Sequence, residues 1–257
     1  MLQRLSRLVA PREPAPAAAG WLETYLRDGV VVVPGVFDAE YIATITSAWR
    51  AFKLEIARRP YGSKPGDRNN RFVYGLLPSP IGDIYKHPRL VEMARAVLGP
   101  DVALYMNRIL LKDESYGDAV TMHQDTVYFS GSQHKLSVFV PLAHVGPDNG
   151  GLNYVLGSHR YGSLVKGAID RSRFAPMPDL RPSVEPGDIV LMDFCTWHWS
   201  ESAVERDDRP LMQLAYQPAD DGSYYGELFG VAEPTLVCGR WRTEHFAACG
   251  HGVVPDA

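Results

Sequence analysis

The second half of the chain is a series of short apolar segments separated by turn residues, and this pattern limits the folds open to it. After about position 100 the segments are rich in β-branched and aromatic residues, and Gly, Pro, Asn and Asp cluster between them. None is followed by a helical crossover of the length that parallel strands need. The pattern predicts an antiparallel sandwich or barrel. The predicted strands are 103–112, 136–145, 152–156, 188–194 and 211–218.

The first hundred residues show helical patterns, which we expect to pack outside the strands. A helix is predicted over 21–28, ended by Gly29, and a short strand follows at 31–35. Asp38 is placed to cap a longer helix over 39–57. One face of that helix carries a run of large apolar residues at helical spacing, namely Ile42, Ile45, Trp49 and Phe52. A further helix is predicted over 88–98, before a Gly-Pro pair.

Composition excludes several classes of protein. The net charge of −4 is small and mixed in sign, which argues against nucleic acid or an anionic membrane as a partner. No apolar run approaches the roughly 20 residues of a spanning helix. The three cysteines, Cys195, Cys238 and Cys249, have no CxxC spacing, so neither a disulfide framework nor a zinc ribbon is expected.

The organisation is expected to be simple. Residues 1–19 are rich in Pro and Ala and lack the apolar stretch of a secretory signal, so they predict a flexible arm. Residues 20–257 are expected to form a single domain, and the cysteine usage favours a reducing, cytoplasmic location. The oligomeric state is left open.

A His-x-Asp pair, His123 and Asp125, is the first candidate for chemistry. On an extended segment, positions i and i+2 face the same side, so both can reach one ion. The chain has eight histidines, so such a pair carries little weight alone. His198, just after a predicted strand, is the best third ligand, and a hairpin is expected to bring Arg209 beside it.

Two histidines and one carboxylate form the ligand set of non-haem Fe(II) oxygenases, which leaves other metal positions open. A bidentate 2-oxo acid and dioxygen can fill those positions. A dicarboxylate co-substrate also needs a partner for its far carboxylate, and a guanidinium provides two parallel charge-assisted hydrogen bonds. Arg209 is the candidate for that contact.

At these motifs the sequence resembles the phytanoyl-CoA dioxygenase family of Fe(II)/2-oxoglutarate oxygenases. The resemblance covers about 28–217 and is strongest over 107–217. Its motifs are LLK, HQD, NGGLNYVLGSHRYGSL (149–164), PGDIVLMD (186–193) and the spacing of His198, Ser200 and Arg209. It implies a mainly β chain with flanking helices, built on a double-stranded β-helix (jelly-roll, cupin-like) core.

The resemblance also implies roles for individual residues. His123, Asp125 and His198 match the iron ligands. Phe139 occupies a strand position where some members have a tryptophan against the co-substrate, and WSESAV after the distal ligand replaces the common G-S-G-P-N. The residues matching 2-oxoglutarate contacts, or standing as candidates for one, are Gln124, Ser200, Arg209, Asn107 and Lys112.

The expected activity is oxidation, normally hydroxylation, of an unactivated C–H bond in a small metabolite during biosynthetic tailoring. Halogenases of this kind replace the metal-binding carboxylate with a small residue, so Asp125 favours hydroxylation. Fe(II), 2-oxoglutarate and dioxygen are implied, with ascorbate as an optional stimulant. The alternatives are a non-catalytic small-molecule binding protein on the same scaffold and a cupin-like isomerase or zinc hydrolase. No residue near the site resembles the dedicated general base that this last class needs.

Overall fold

The fold is described from a computed structural model, which covers residues 20–56, 71–73, 75–114, 116–164, 169–204, 208–223, 230–231 and 233–241. The predicted arm, 1–19, lies outside these residues. The helices are α1 (Trp21–Asp28), α2 (Ala39–Ile56) and α3 (Pro88–Leu98). The strands are β1 (Val30–Val33), β2 (Arg71–Val73), β3 (Val102–Lys112), β4 (Val120–His123), β5 (Leu136–Pro141), β6 (Leu152–Val155), β7 (Asp179–Leu180), β8 (Ile189–Asp193), β9 (His198–Ser200), β10 (Arg209–Pro218) and β11 (Thr235–Cys238).

The strands form two antiparallel sheets. The larger has the order β1-β8-β5-β10-β3-β11, with β2 also paired to β3. The smaller has the order β4-β9-β6-β7. The mainly antiparallel prediction is confirmed, and all five predicted strands are present. The strand predicted over 136–145 is shorter, because the chain leaves the sheet after Pro141 and only Val145 forms a bridge, to Val184.

Two apolar layers hold the molecule together. Between the sheets, Phe139, Val190 and Leu211 of the larger sheet pack with Tyr154 of the smaller one. On its other face the larger sheet is covered by α2 and α3, which bury the predicted face of α2 and Leu90 of α3. Because both faces of the central strands are covered, β3 and β10 are buried along almost their whole length.

The predicted helix ends are also found. The Asp38 carboxylate accepts a hydrogen bond from the backbone N–H of Tyr41 at 2.7 Å, which is the expected N-cap. Gly29 ends α1 with φ 76°, and its N–H donates to the Tyr25 carbonyl at 2.7 Å. Among the described helices, none is long and apolar enough to cross a membrane.

Candidate metal centre

The two histidines and the aspartate meet at one end of the smaller sheet. His123 ends β4, His198 begins β9, and the two residues are directly opposite each other in the antiparallel pairing. Asp125 follows β4 in a short 3-10 turn and is buried. One ligand atom from each of these residues lies within 4.8 Å of the others. In the described part of the chain, this is the group of His, Cys, Asp and Glu side chains close enough to share an ion.

Both imidazoles present the same nitrogen to the centre. Nδ1 of His123 lies 2.8 Å from the Thr121 carbonyl, and Nδ1 of His198 lies 3.0 Å from the Thr196 carbonyl. A carbonyl oxygen can only accept, so each Nδ1 carries the proton and each Nε2 keeps a lone pair for a metal. Backbone acceptors of this kind orient metal-binding histidines.

The protonation state of His123 also favours metal binding. Burial, and then the nearby His198, lower the pKa of His123 to about 4. The imidazole is therefore neutral at pH 7, which is the form that binds metals.

The Asp125 carboxylate presents one oxygen to the histidines. Oδ2 accepts hydrogen bonds from Ser137 Oγ at 3.2 Å and from Gln213 Nε2 at 3.3 Å. Oδ1 lies 3.8 Å from His198 Nε2. This distance is shorter than the sum of two typical metal–ligand bonds of about 2.1 Å each, so one ion between the two atoms can bind both. The donor set therefore fits a divalent ion held by two nitrogens and one oxygen.

Arg209 is a buried cation with unused donors. It begins β10, has 2% of its surface exposed, and neither Nε nor Nη1 has a hydrogen-bond partner. Burial lowers the pKa of Arg209 to about 10, so the guanidinium still carries its charge at neutral pH. Unpaired buried donors on a charged group are costly, and they indicate a place for an anion. The carboxylate of a dicarboxylate co-substrate fits these donors.

Lys112 and Ser200 lie beside Arg209. Lys112 is directly opposite Arg209 in the pairing of β3 with β10. Its Nζ donates to Ser200 Oγ at 2.9 Å and to the carbonyls of Glu201 and Asp118 at 2.9 and 3.1 Å. Burial, followed by the charge of Arg209, lowers the pKa of Lys112 to about 7. In the protonated form all three ammonium donors are engaged, while the Ser200 hydroxyl can still donate.

Asn107 lies on the wrong face of β3 for the predicted co-substrate contact. Its Nδ2 donates to the Gly82 carbonyl at 2.8 Å, in the layer outside the larger sheet. The neighbours Ile109 and Leu111 share that face and pack with the helices. Since side chains alternate along a strand, Arg108 is the residue that faces the interior.

Gln124 is also engaged elsewhere. Its Nε2 donates to the carbonyls of Gly162 and Cys195 at 2.7 and 2.6 Å, and its Oε1 accepts from the N–H of Leu164 at 2.8 Å. No amide donor is left for 2-oxoglutarate. These contacts make Gln124 a structural tie between loops. Phe139 does face the space between the sheets, as part of the apolar layer there.

The predicted hairpin joining His198 to Arg209 is wrong. β9 pairs with β4 and β6 in the smaller sheet, whereas β10 pairs with β3 and β5 in the larger one. The connection between β9 and β10 therefore crosses from one sheet to the other. Both residues still face the same interior, because Ser200 of β9 and Lys112 opposite Arg209 are hydrogen-bonded to each other.

Four polar residues of the interior were not found by sequence reasoning. Ser137 and Gln213 hold Asp125, and Arg108 holds Gln213. The ring of Tyr154 lies 6.4 Å from that of His198, and its pKa is raised by burial and by the charge of Asp125. The signal that could have found them is the alternation of inward-facing and outward-facing side chains along each strand. The inward positions of β10 are those an even number of residues from Arg209, and the other polar residues among them are Gln213 and Gln217.

Comparison with known proteins identifies the family of this chain. A family model described as phytanoyl-CoA dioxygenase (PhyH) matches residues 25–210, well over half of the chain. The chain belongs to the phytanoyl-CoA dioxygenase family. This confirms the predicted family, which is a family of Fe(II)- and 2-oxoglutarate-dependent oxygenases.

The curated relatives of this PhyH-family chain share at most 27% sequence identity with it. It is 27% identical over 167 residues to the ectoine dioxygenase of Bordetella bronchiseptica, a match over 61% of this chain and 54% of that protein. The chain thus matches only about half the length of that relative.

Solved structures that share the fold include two with bound ligands. EctD from S. alaskensis with 2-oxoglutarate and 5-hydroxyectoine has a TM-score of 0.69 at 24% identity, over 93% of this chain and 90% of that one. The epimerase SnoN, in complex with Fe3+, alpha ketoglutarate and nogalamycin RO, has a TM-score of 0.68 at 22% identity, over 80% of this chain and 85% of that one. The predicted double-stranded β-helix, or jelly-roll, fold is confirmed.

Proposed function

We propose that this chain catalyses the Fe(II)- and 2-oxoglutarate-dependent oxidation, normally hydroxylation, of an unactivated C–H bond in a small metabolite. The observation that carries the proposal is the buried guanidinium of Arg209, whose Nε and Nη1 have no hydrogen-bond partner and which faces the same interior as the two histidines and the aspartate. A metal-binding triad alone would suit many reactions. A buried cation with unpaired donors in the same interior selects those with an anionic co-substrate.

In this proposal each group has a defined task. His123, Asp125 and His198 would hold the ion, the histidines through Nε2 and the aspartate through Oδ1. Arg209 binds the far carboxylate of 2-oxoglutarate through its free donors, and the Ser200 hydroxyl, accepting from Lys112, can donate to the same carboxylate. When bound, Fe(II) and 2-oxoglutarate activate dioxygen for C–H oxidation, with release of succinate and carbon dioxide.

The walls of the site protect that chemistry. Phe139 and Tyr154 are almost fully buried in the apolar layer between the sheets. A dry interior strengthens the attraction between Arg209 and an anion and limits side reactions. Asp125 occupies the carboxylate position, so no coordination site is vacated for chloride, and hydroxylation is favoured over halogenation.

The substrate is proposed only as a small metabolite, modified in a biosynthetic tailoring step. Relatives named for ectoine, and a structural neighbour bound to nogalamycin RO, support that class of substrate. We also propose that residues 20–257 form a single domain, since described helices and strands share one apolar layer. A cytoplasmic location is supported by the free thiols of Cys195 and Cys238.

The first test is binding and turnover in the wild-type chain. Adding Fe(II) and 2-oxoglutarate without air should give a visible charge-transfer band, and air should then yield succinate. His198→Ala should lose the band and the succinate while remaining folded by circular dichroism. A wild type without the band would favour the non-catalytic binding protein, and unchanged succinate release by His198→Ala would reject the ligand assignment.

The second test concerns the co-substrate. Arg209→Met should raise the KM for 2-oxoglutarate by about 100-fold or more, since removing one partner of a buried charge pair costs about 3–5 kcal/mol. The matched control is Arg95→Met, which removes an exposed arginine from α3 and should leave the KM unchanged. An unaltered KM in Arg209→Met would show that the carboxylate binds elsewhere.

A further inference from the structure

Arg108 and Gln213 form a pair behind the candidate metal ligand. They are directly opposite each other on β3 and β10, and both are buried. The guanidinium donates twice to one atom, with Arg108 Nε at 3.0 Å and Nη2 at 2.8 Å from Gln213 Oε1. A forked contact of this kind restrains the amide more than a single hydrogen bond would.

This contact decides which way the Gln213 amide points. A guanidinium has donors only, so the amide atom that faces it must be the oxygen. The amide nitrogen is therefore directed to the other side, where it donates to Asp125 Oδ2 at 3.3 Å. The orientation of the Gln213 amide, which is otherwise ambiguous, is set by Arg108.

The guanidinium is itself fixed by packing. It lies over the ring of Phe72, with 4.6 Å from Cζ to the ring centroid, and 5.5 Å from the ring centroid of Phe129. Cation–π contacts with two rings and a buried stem leave the side chain little freedom. The packing of Arg108 therefore restrains Gln213, and through Gln213 it restrains Asp125.

We propose that Arg108 is a positioning residue, which acts through Gln213 to hold Asp125 Oδ2 away from the metal so that Oδ1 alone faces the ion. A carboxylate whose two oxygens were both free could bind the ion with both and occupy a further position. Ser137 Oγ, the second donor to Oδ2, supports the same arrangement. The inference rests on the proposed function only in taking this cluster as a metal site.

The test measures metal binding, and needs neither turnover nor 2-oxoglutarate. Wild type and variants are titrated with CoCl2, and the visible d–d spectrum gives both the dissociation constant and the coordination number. Gln213→Met, which removes the hydrogen bonds but no charge, should weaken Co(II) binding by about 10- to 100-fold, as is typical for residues that orient a metal ligand. The spectrum should shift towards higher coordination as Oδ2 binds.

Arg108→Met separates positioning from simple electrostatics. Removing a nearby positive charge would by itself strengthen the binding of a cation. Positioning predicts the opposite, a weakening similar to that of Gln213→Met. Because the two residues act in series, the double variant should be no weaker than either single one by more than about twofold. Arg108→Lys, which keeps one donor to Gln213, should recover part of the affinity.

The matched control is Arg89→Met. Arg89 also packs in the fold as a structural cation, and donates to the carbonyls of Gly35 and Val36 at 3.0 Å. Its loss should lower the melting temperature while leaving Co(II) binding within about twofold of wild type. Arg108→Met or Gln213→Met with wild-type affinity and spectrum would overturn the inference, as would tighter binding by Arg108→Met.

Failure of the proposed function gives a different result. A wild type that binds Co(II) but shows no band with Fe(II) and 2-oxoglutarate would reject the oxygenase activity, and the variants would still decide the role of Arg108. A wild type that binds no divalent metal would overturn both.

Discussion

At the scale of single residues, the interior is notable for two neighbouring cations. Lys112 and Arg209 are paired across β3 and β10, and like charges in this position repel each other. Lys112 offsets its burial with three oxygen acceptors, whereas Arg209 has unpaired donors. The asymmetry gives the two cations different tasks. Lys112 joins the larger sheet to Ser200 and Glu201, and Arg209 is left for a ligand.

The titration of Lys112 makes a testable contribution to stability. Burial and the charge of Arg209 lower its pKa from 10.5 to about 7, while Asp118 and Glu201 oppose the change. The unfolded chain therefore binds a proton between about pH 7 and 10.5 that the folded chain does not. The free energy of unfolding rises with pH across this window, by up to about 1.4 kcal/mol per pH unit.

Urea unfolding at pH 7 and pH 9 checks this, with Lys112→Met as the comparison. Between these two values the wild type should gain about 2 kcal/mol relative to the variant, since methionine has no proton to lose. A constant difference between the two proteins would mean that Lys112 keeps its ordinary pKa.

Residue-scale prediction succeeded where motif spacing fixed the answer. His123, Asp125 and His198 were brought forward by the His-x-Asp spacing and by a strand before the third residue, and the structure brings them together. Gln124 was selected by its position in the HQD motif, and Asn107 as a candidate on the strand before it, and neither ground tells which way a side chain points. One residue of shift along β3, from Asn107 to Arg108, changes the face from the helix layer to the site.

At the scale of elements, the strands that carry the ligands are the ones that sequence could not show. β4 and β9 are short, at four and three residues, and they contain polar residues required by the site. The long apolar strands β3 and β10 were evident because both of their faces are buried. When the inward positions of a strand are polar metal ligands, the strand lacks the alternation of apolar and polar residues by which strands are recognised.

The junction of α1 and β1 supports one of these short strands. Gly29 accepts hydrogen bonds from the N–H of Asp193 and from Thr196 Oγ1, both at 2.8 Å. A Cβ on Gly29 would lie 2.4 Å from His159 Nδ1 and 2.6 Å from Thr196 Oγ1. The Thr196 carbonyl orients His198, so a side chain at Gly29 would disturb a candidate metal ligand from outside the site.

Gly29→Ala should therefore lower the affinity for Co(II) as well as the stability, by about 2 kcal/mol or more for the latter. The control is Gly99→Ala at the end of α3, where φ is also positive at 98° but no atom lies within 4 Å of the added Cβ. That variant should lose stability through backbone strain and keep its Co(II) affinity. Equal metal affinity in both variants would show that the junction does not reach His198.

At the scale of the whole molecule, the two sheets contribute different parts of one site. The smaller sheet supplies His123 and His198, and the larger sheet supplies Arg209 and the contacts that hold Asp125. This division explains why a hairpin was a reasonable but wrong prediction. A hairpin and a connection that crosses between the sheets both bring His198 close to Arg209. The spacing of the two residues in the sequence does not distinguish these arrangements.

The division of the site also predicts how ligands affect unfolding. A metal with 2-oxoglutarate would bridge the sheets, so the complex forms only when both are in place. Ligands that bind only the folded state stabilise it by mass action, by about 2.7 kcal/mol at 100 times their dissociation constant. For a chain of this size that corresponds to a rise in melting temperature of about 5–10 °C.

Anaerobic thermal unfolding should show one rise with Fe(II), a second with added 2-oxoglutarate, and the loss of both on chelation with EDTA. Arg209→Met should keep the first rise and lose the second, because its metal ligands are intact but its anchor for the far carboxylate is gone. A full second rise in Arg209→Met would mean that the larger sheet does not hold the co-substrate through this residue.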